Sequence, residues 1–161
     1  MIKVIFLDRD GVIIKERGEY NYLPDHIIMV EGIVEALQKL YRKGFDFIIV
    51  SNQGGIARGL YKIKDVKFIN DSISQFFKTY GINILDTIYC PHHPDISACI
   101  CRKPDTQLFE KMLHIYNIDP KTSWMIGDQD RDIEAGQKAG LKTLLLEPND
   151  DLNKYLESIE Y

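Results

Sequence analysis

Asp8-Arg9-Asp10-Gly11 places two carboxylates one residue apart, directly after the apolar run Ile2-Lys3-Val4-Ile5-Phe6-Leu7. An aspartate has an unperturbed pKa of about 3.9, so at neutral pH it is ionised and nucleophilic without a base. A second carboxyl group beside it can protonate a leaving oxygen and afterwards activate water. Gly11 lets the backbone turn sharply away from the pair. Anions gathered this closely repel, and a hard divalent cation held by oxygens, magnesium above all, resolves that repulsion. Asp128, which follows Trp124-Met125-Ile126-Gly127, is the natural further oxygen ligand. Phosphoryl transfer also needs donors for the transferring oxygens. Ser51 and Asn52, with the amides of the glycine-bearing turn after them, offer neutral donors, and Lys103 offers a compact positive charge.

A second cluster has a different chemistry. Cys90, Cys99 and Cys101 lie in one short stretch with His92 and His93. An odd number of thiols beside histidines points to a metal and away from a disulfide framework. Three thiolates and one imidazole suit tetrahedral zinc, and four protein ligands leave no open position, so such a zinc is structural. Its task would be to hold Arg102 and Lys103, next in the chain, in place.

The elements that must carry these groups alternate. Residues 2–7, 45–50, 84–89, 124–126 and 141–146 read as buried strands. Helical spacing marks segments beginning near Ile33, over about 63–80, 105–117 and 130–139, and a short C-terminal helix from about Asp150. Strands alternating with helices predict an α/β fold, a Rossmann-like three-layer sandwich with a mostly parallel central sheet. In such sheets the site lies beyond the carboxyl ends of the strands. Asp8 and Asp10, Ser51 and Asn52, the Cys/His loop with Arg102-Lys103, and Asp128 all follow strands, so they are expected on one rim. The intervals between them leave no room for a large cap domain.

With 161 residues, 45% hydrophobic and 27% charged, the chain is expected to form a single domain over 1–161. A formal charge of −4 advertises no basic face, so no nucleic-acid partner is expected. The N-terminal apolar run is too short for a signal core or a membrane span, which leaves the cytoplasm as the expected address. A monomer is favoured, with the oligomeric state open.

Asp8-Arg9-Asp10-Gly11-Val12, Ser51-Asn52, Lys103-Pro104 and Gly127-Asp128-Gln129-Asp130-Arg131-Asp132 resemble the four ordered motifs of the haloacid dehalogenase-like phosphatases. The resemblance implies Asp8 as nucleophile, Asp10 as general acid/base, and Ser51 and Lys103 as stabilisers of the phosphoryl group. It implies magnesium on Asp8, the main-chain carbonyl of Asp10, and Asp128, with Asp132 in an outer position. Val12 stands where a threonine is common in that family. The Cys-x-His pattern of Cys90 and His92 is similar to that of a zinc-bearing subgroup containing heptose 1,7-bisphosphate phosphatases and histidinol-phosphatases, which selects Cys90, His92, Cys99 and Cys101 as ligands. Gly18-Glu19-Tyr20 and the run from Asn52 to Gly59 look more like the heptose enzymes. The short linker between His92 and Cys99 looks more like the histidinol-phosphatases. The resemblance further implies a small phosphate ester bound by Glu16, Arg17, Gly18, Glu19, Ser51, Asn52, Gln53, Gly54, Arg102, Lys103 and Gln129.

Overall fold

The five apolar runs form one sheet because each is rich in β-branched and aromatic residues and is bounded by turn-forming residues. The structure, a computed structural model, describes residues 1–159, so the last two residues of the expected 1–161 domain lie outside the described ones. The strands are β1 (Val4–Leu7), β2 (Asp46–Asn52), β3 (Ile84–Cys90), β4 (Trp124–Gly127) and β5 (Lys142–Leu145). They pair in the order β3-β2-β1-β4-β5, and every pairing is parallel. The expected mostly parallel sheet is thus wholly parallel among the described residues.

Four helices make the crossovers: α1 (Ile33–Arg42), α2 (Ile63–Lys78), α3 (Gln107–Ile115) and α4 (Asp130–Lys138). Side chains alternate across each strand, so the sheet feeds two cores. Ile5 and Leu7 of β1 with Phe47 and Ile49 of β2 pack against Leu37 of α1 and Ile69, Ile73 and Phe77 of α2. Val4, Phe6, Ile48 and Val50 face the other way, onto Phe109 and Met112 of α3 and Ala135 of α4. This is the three-layer arrangement, with no cap domain inserted among the described residues.

Two boundaries differ from expectation in ways that bear on the site. β2 runs through Ser51 and Asn52, because β3 continues to pair with them as far as Asn52↔Cys90. These two residues are therefore fixed by ladder hydrogen bonds rather than carried on a turn. The C-terminal helix winds as a 3-10 segment over Leu152–Ser158, with Leu152 and Leu156 packed into the first core. β2 and β3 lie on one side of β1 and β4 and β5 on the other, so the winding of the sheet reverses at β1. A crevice forms beyond the strand ends at such a reversal.

Candidate active site

Asp8 leaves β1 and Asp128 leaves β4, the adjacent strands at which the winding reverses. Asp8, Asp128 and Asp132 each offer a carboxylate oxygen, and these oxygens all lie within 4.8 Å of one another. Gly11 makes this approach possible. Its φ is +94°, and a Cβ there would sit 2.2 Å from Asp128 Oδ2. Gly127 does the same below, where a Cβ would meet Asp132 Cβ at 2.3 Å.

Lys103 is buried beneath the acids. Its Nζ lies 2.7 Å from Asp8 Oδ1 and 2.7 Å from Asp132 Oδ1, and it donates to the Val50 carbonyl at 2.8 Å. Burial alone would lower the Lys103 pKa, but Asp8 and Asp132 outweigh it and hold the ammonium above its ordinary value. Burial, together with the charge of Asp132, pushes the Asp8 carboxyl well above the usual carboxylate range despite Lys103. Burial also raises Asp128, and the charge of Asp132 adds to this against hydrogen bonds from Asp8 and Gln129. One ammonium, paired with Asp8 and Asp132, thus serves a cluster of three carboxyl groups, and the buried Asp128 Oδ1 has no hydrogen-bond partner among the described residues. An all-oxygen set short of positive charge fits a hard divalent cation.

Asp10 stands apart from that trio. Its carboxylate accepts from Asn21 Nδ2 at 2.8 Å and Gln53 Nε2 at 3.2 Å, and pairs with Arg9 at 3.1 Å. Ser51 Oγ accepts from the same Gln53 Nε2, while Tyr61 donates to Gln53 Oε1 at 2.7 Å and so fixes which way that amide faces. The Asn52 carboxamide is used on the main chain of Lys103, accepting from its N–H and donating to its carbonyl, both at 3.0 Å.

A cleft of about 300 Å³ opens over Asp8 and Asp10. Of the expected substrate residues, Glu16, Gly18, Glu19, Asn52, Gln53 and Gln129 line it. Ser51 and Lys103 are buried. Arg17 turns to Asn21 Oδ1 at 2.8 Å, and Arg102 donates to the His92 carbonyl at 3.2 Å, with Gly54 packed against it. Three lining residues escaped the sequence reading as individual positions: Tyr20, Asn21 and Arg131. Tyr20 and Arg131 lie within quoted motifs and Asn21 directly follows one, but no spacing singles them out.

The second cluster is also assembled. Cys90 Sγ lies 3.5 Å from His92 Nδ1, 3.7 Å from Cys99 Sγ and 3.1 Å from Cys101 Sγ. His92 Nδ1 is 3.2 Å from Cys101 Sγ. Four soft ligand atoms within 4.8 Å of one another are a donor set suited to tetrahedral zinc.

Fold and site together define a phosphoryl-transfer enzyme of the doubly wound class, and comparison with known proteins agrees. A family profile described as HAD-hydrolase-like matches residues 100–158. The D-glycero-alpha-D-manno-heptose-1,7-bisphosphate 7-phosphatase of Photorhabdus laumondii is 40% identical over 151 residues, covering 90% of this chain and 82% of that protein. The histidine biosynthesis bifunctional protein HisB of Legionella pneumophila is 37% identical over 145 residues, covering 89% of this chain but only 41% of the relative. Among solved structures, the D,D-heptose 1,7-bisphosphate phosphatase of B. bronchiseptica, complexed with magnesium and phosphate, superposes with a TM-score of 0.85 at 29% identity. That match covers 98% of this chain and 87% of the other. The chain belongs to the haloacid dehalogenase-like hydrolases, and it is a phosphoric monoester hydrolase.

Proposed function

We propose that this phosphatase removes the 7-phosphate of D-glycero-D-manno-heptose 1,7-bisphosphate, leaving the 1-phosphate for nucleotide-heptose and surface-glycan synthesis, and that it depends on magnesium. The observation that carries the reading is the placement of Asp8 under the cleft. Lys103 lies 2.7 Å from its Oδ1, and an Asp128 oxygen lies within 4.8 Å. Heptose bisphosphate is favoured over other esters by the 40% identical relative and the magnesium- and phosphate-bound structural neighbour.

In this reading an oxygen of Asp8 attacks phosphorus as the P–O bond to the sugar breaks, and the leaving oxygen takes a proton from Asp10. Water then attacks the phosphorus of the aspartyl phosphate and gives a proton to Asp10. The bond to Asp8 breaks and phosphate departs. Lys103 and the Ser51 hydroxyl answer the charge on the transferring oxygens. Magnesium on Asp8, the Asp10 main-chain carbonyl and Asp128 would supply Lewis-acid polarisation and cancel carboxylate repulsion. Zinc on Cys90, His92, Cys99 and Cys101 would be structural, fixing the loop that delivers Arg102 and Lys103. Glu16, Gly18, Glu19, Asn52, Gln53 and Gln129 would contact substrate from the cleft walls. The partner is then a small phosphate ester. No described helix is long and apolar enough to cross a membrane.

Histidinol phosphate is the second reading, favoured by the short linker between His92 and Cys99 and by the HisB relative. A magnesium-supplemented panel of heptose bisphosphate, histidinol phosphate and a 3′-phosphorylated oligonucleotide decides. The heptose substrate is expected to give the highest kcat/KM. A higher value on histidinol phosphate would replace the proposal with the second reading.

A further inference from the structure

Arg9, Asn21 and Asn70 are buried polar side chains with no part in the steps above. Arg9 is wholly buried, and Asn21 and Asn70 are each 2% exposed. They meet at a single place. Arg9 donates from Nε to Asp10 Oδ2 at 3.2 Å and from Nη2 to Oδ1 at 3.3 Å, a two-point grip on both carboxyl oxygens that fixes the carboxyl plane. The same Nη2 donates to the Asn21 carbonyl at 3.0 Å, and Nη1 reaches Asn70 Oδ1 at 3.4 Å. Asn21 Nδ2 closes the ring by donating to Asp10 Oδ1 at 2.8 Å.

A buried guanidinium is costly unless its charge and its donors are answered. Here the answering charge belongs to a group that must itself meet a reacting atom. Asn70 lies on the buried face of α2, between Ile69 and Ile73, where an apolar residue would be expected from the helix pattern alone. Its position is accounted for by Arg9. The unit ties Asp10 to α2 on one side and to the cleft loop carrying Asn21 on the other. Delivering a proton requires the carboxyl group to stay within hydrogen-bond reach of the leaving oxygen, and a loosely held aspartate samples several rotamers.

We propose that Arg9 is a positioning residue, anchored by Asn70 and by the Asn21 carbonyl, that holds Asp10 in place for proton delivery to the leaving oxygen. The proposal rests on the reading of Asp10 as the acid.

The test compares kcat/KM on two substrates with magnesium-loaded protein. Heptose bisphosphate has an alkoxide leaving group that needs a proton, whereas the nitrophenolate of p-nitrophenyl phosphate needs little assistance. Because kcat/KM ends at transfer to Asp8, the hydrolysis step common to both substrates drops out. Arg9→Lys keeps the charge but loses the planar fork. Asn70→Ala keeps the guanidinium but removes its anchor, and it carries the test should Arg9→Lys fail to melt cooperatively. Each is expected to lose roughly tenfold more on the sugar phosphate than on the nitrophenyl ester, with Asp10→Asn showing the same selectivity more strongly. Folded variants that lose equally on both substrates, or on neither, while Asp10→Asn remains selective, would overturn the clamp. An Asp10→Asn variant without selectivity would instead overturn the acid role on which the clamp depends.

Discussion

At the scale of single residues, the site is a charge problem that Lys103 solves only in part. Asp8 and Asp132 share its ammonium, while the buried Asp128 Oδ1 is left unpartnered among the described residues. A carboxyl that holds its proton more tightly in the folded than in the unfolded state takes one up on folding. Stability then falls as pH rises from the usual value near 3.8 up through the raised folded values of Asp8 and Asp128. Asp128→Asn is therefore expected to stabilise the metal-free protein by about 1 kcal/mol at neutral pH, with a shallower decline above pH 4. The same variant should lose the rise in thermal midpoint that magnesium gives the parent, a rise expected to grow with pH as the carboxylates ionise. Thermal melts across pH, with and without magnesium, check both. A parent protein more stable than the variant in chelator would show that the carboxylate repulsion has been misread.

At the scale of elements, the loops after parallel strands carry the groups of the proposed site, and their glycines and the Cys/His cluster set their shape. Gly11→Ala would put a carbon 2.2 Å from Asp128 Oδ2 at a φ of +94°. It is expected to cost roughly 2 kcal/mol or more and to weaken magnesium binding, which denaturant titration and calorimetry would show. Elemental analysis is expected to find zinc in the parent and none in Cys101→Ser, and the variant is expected to be proteolysed faster within residues 91–102. It should also lower kcat through the displaced Lys103. A variant that loses zinc while keeping both its loop and its activity would contradict the structural role. Much of this scale was legible beforehand, because Asp8, Asp128 and the Cys/His group each directly follow an apolar run. The Arg9 clamp was not. Its partners lie 12 and 61 residues away in sequence, and no periodicity links a loop asparagine to one on a buried helix face. The C-terminal segment shows a further limit. Leu152 and Leu156 recur at helical spacing, yet the backbone there winds as 3-10.

Across the whole molecule, reversal of the winding at β1 brings polar groups separated by more than a hundred residues into one crevice. Alternating strands and helices predicted that convergence, because a parallel sheet covered on both faces leaves its strand ends as the place for a site. Which rim residues face the cleft was beyond such reasoning, since it depends on loop conformation. Arg17 and Arg102, expected as substrate contacts, turn to protein partners, while Arg131 stands in the cleft wall. Among the described residues Arg131 is the one cationic side chain lining the cleft, beside acids that include Asp8, Asp10, Glu16, Glu19 and Asp128. Arg131→Gln is accordingly expected to raise KM for a bisphosphate several-fold and to change KM for a monophosphate little, as steady-state kinetics on both would reveal.

The central claim is that phosphate passes through Asp8. It is tested most directly by phosphate release from heptose 1,7-bisphosphate by the magnesium-saturated Asp8→Asn variant, with its fold verified by thermal melting. The nucleophile assignment predicts a fall of roughly 10³-fold or more, because an amide cannot form the acyl phosphate. A folded variant that kept its rate within tenfold of the parent would contradict it.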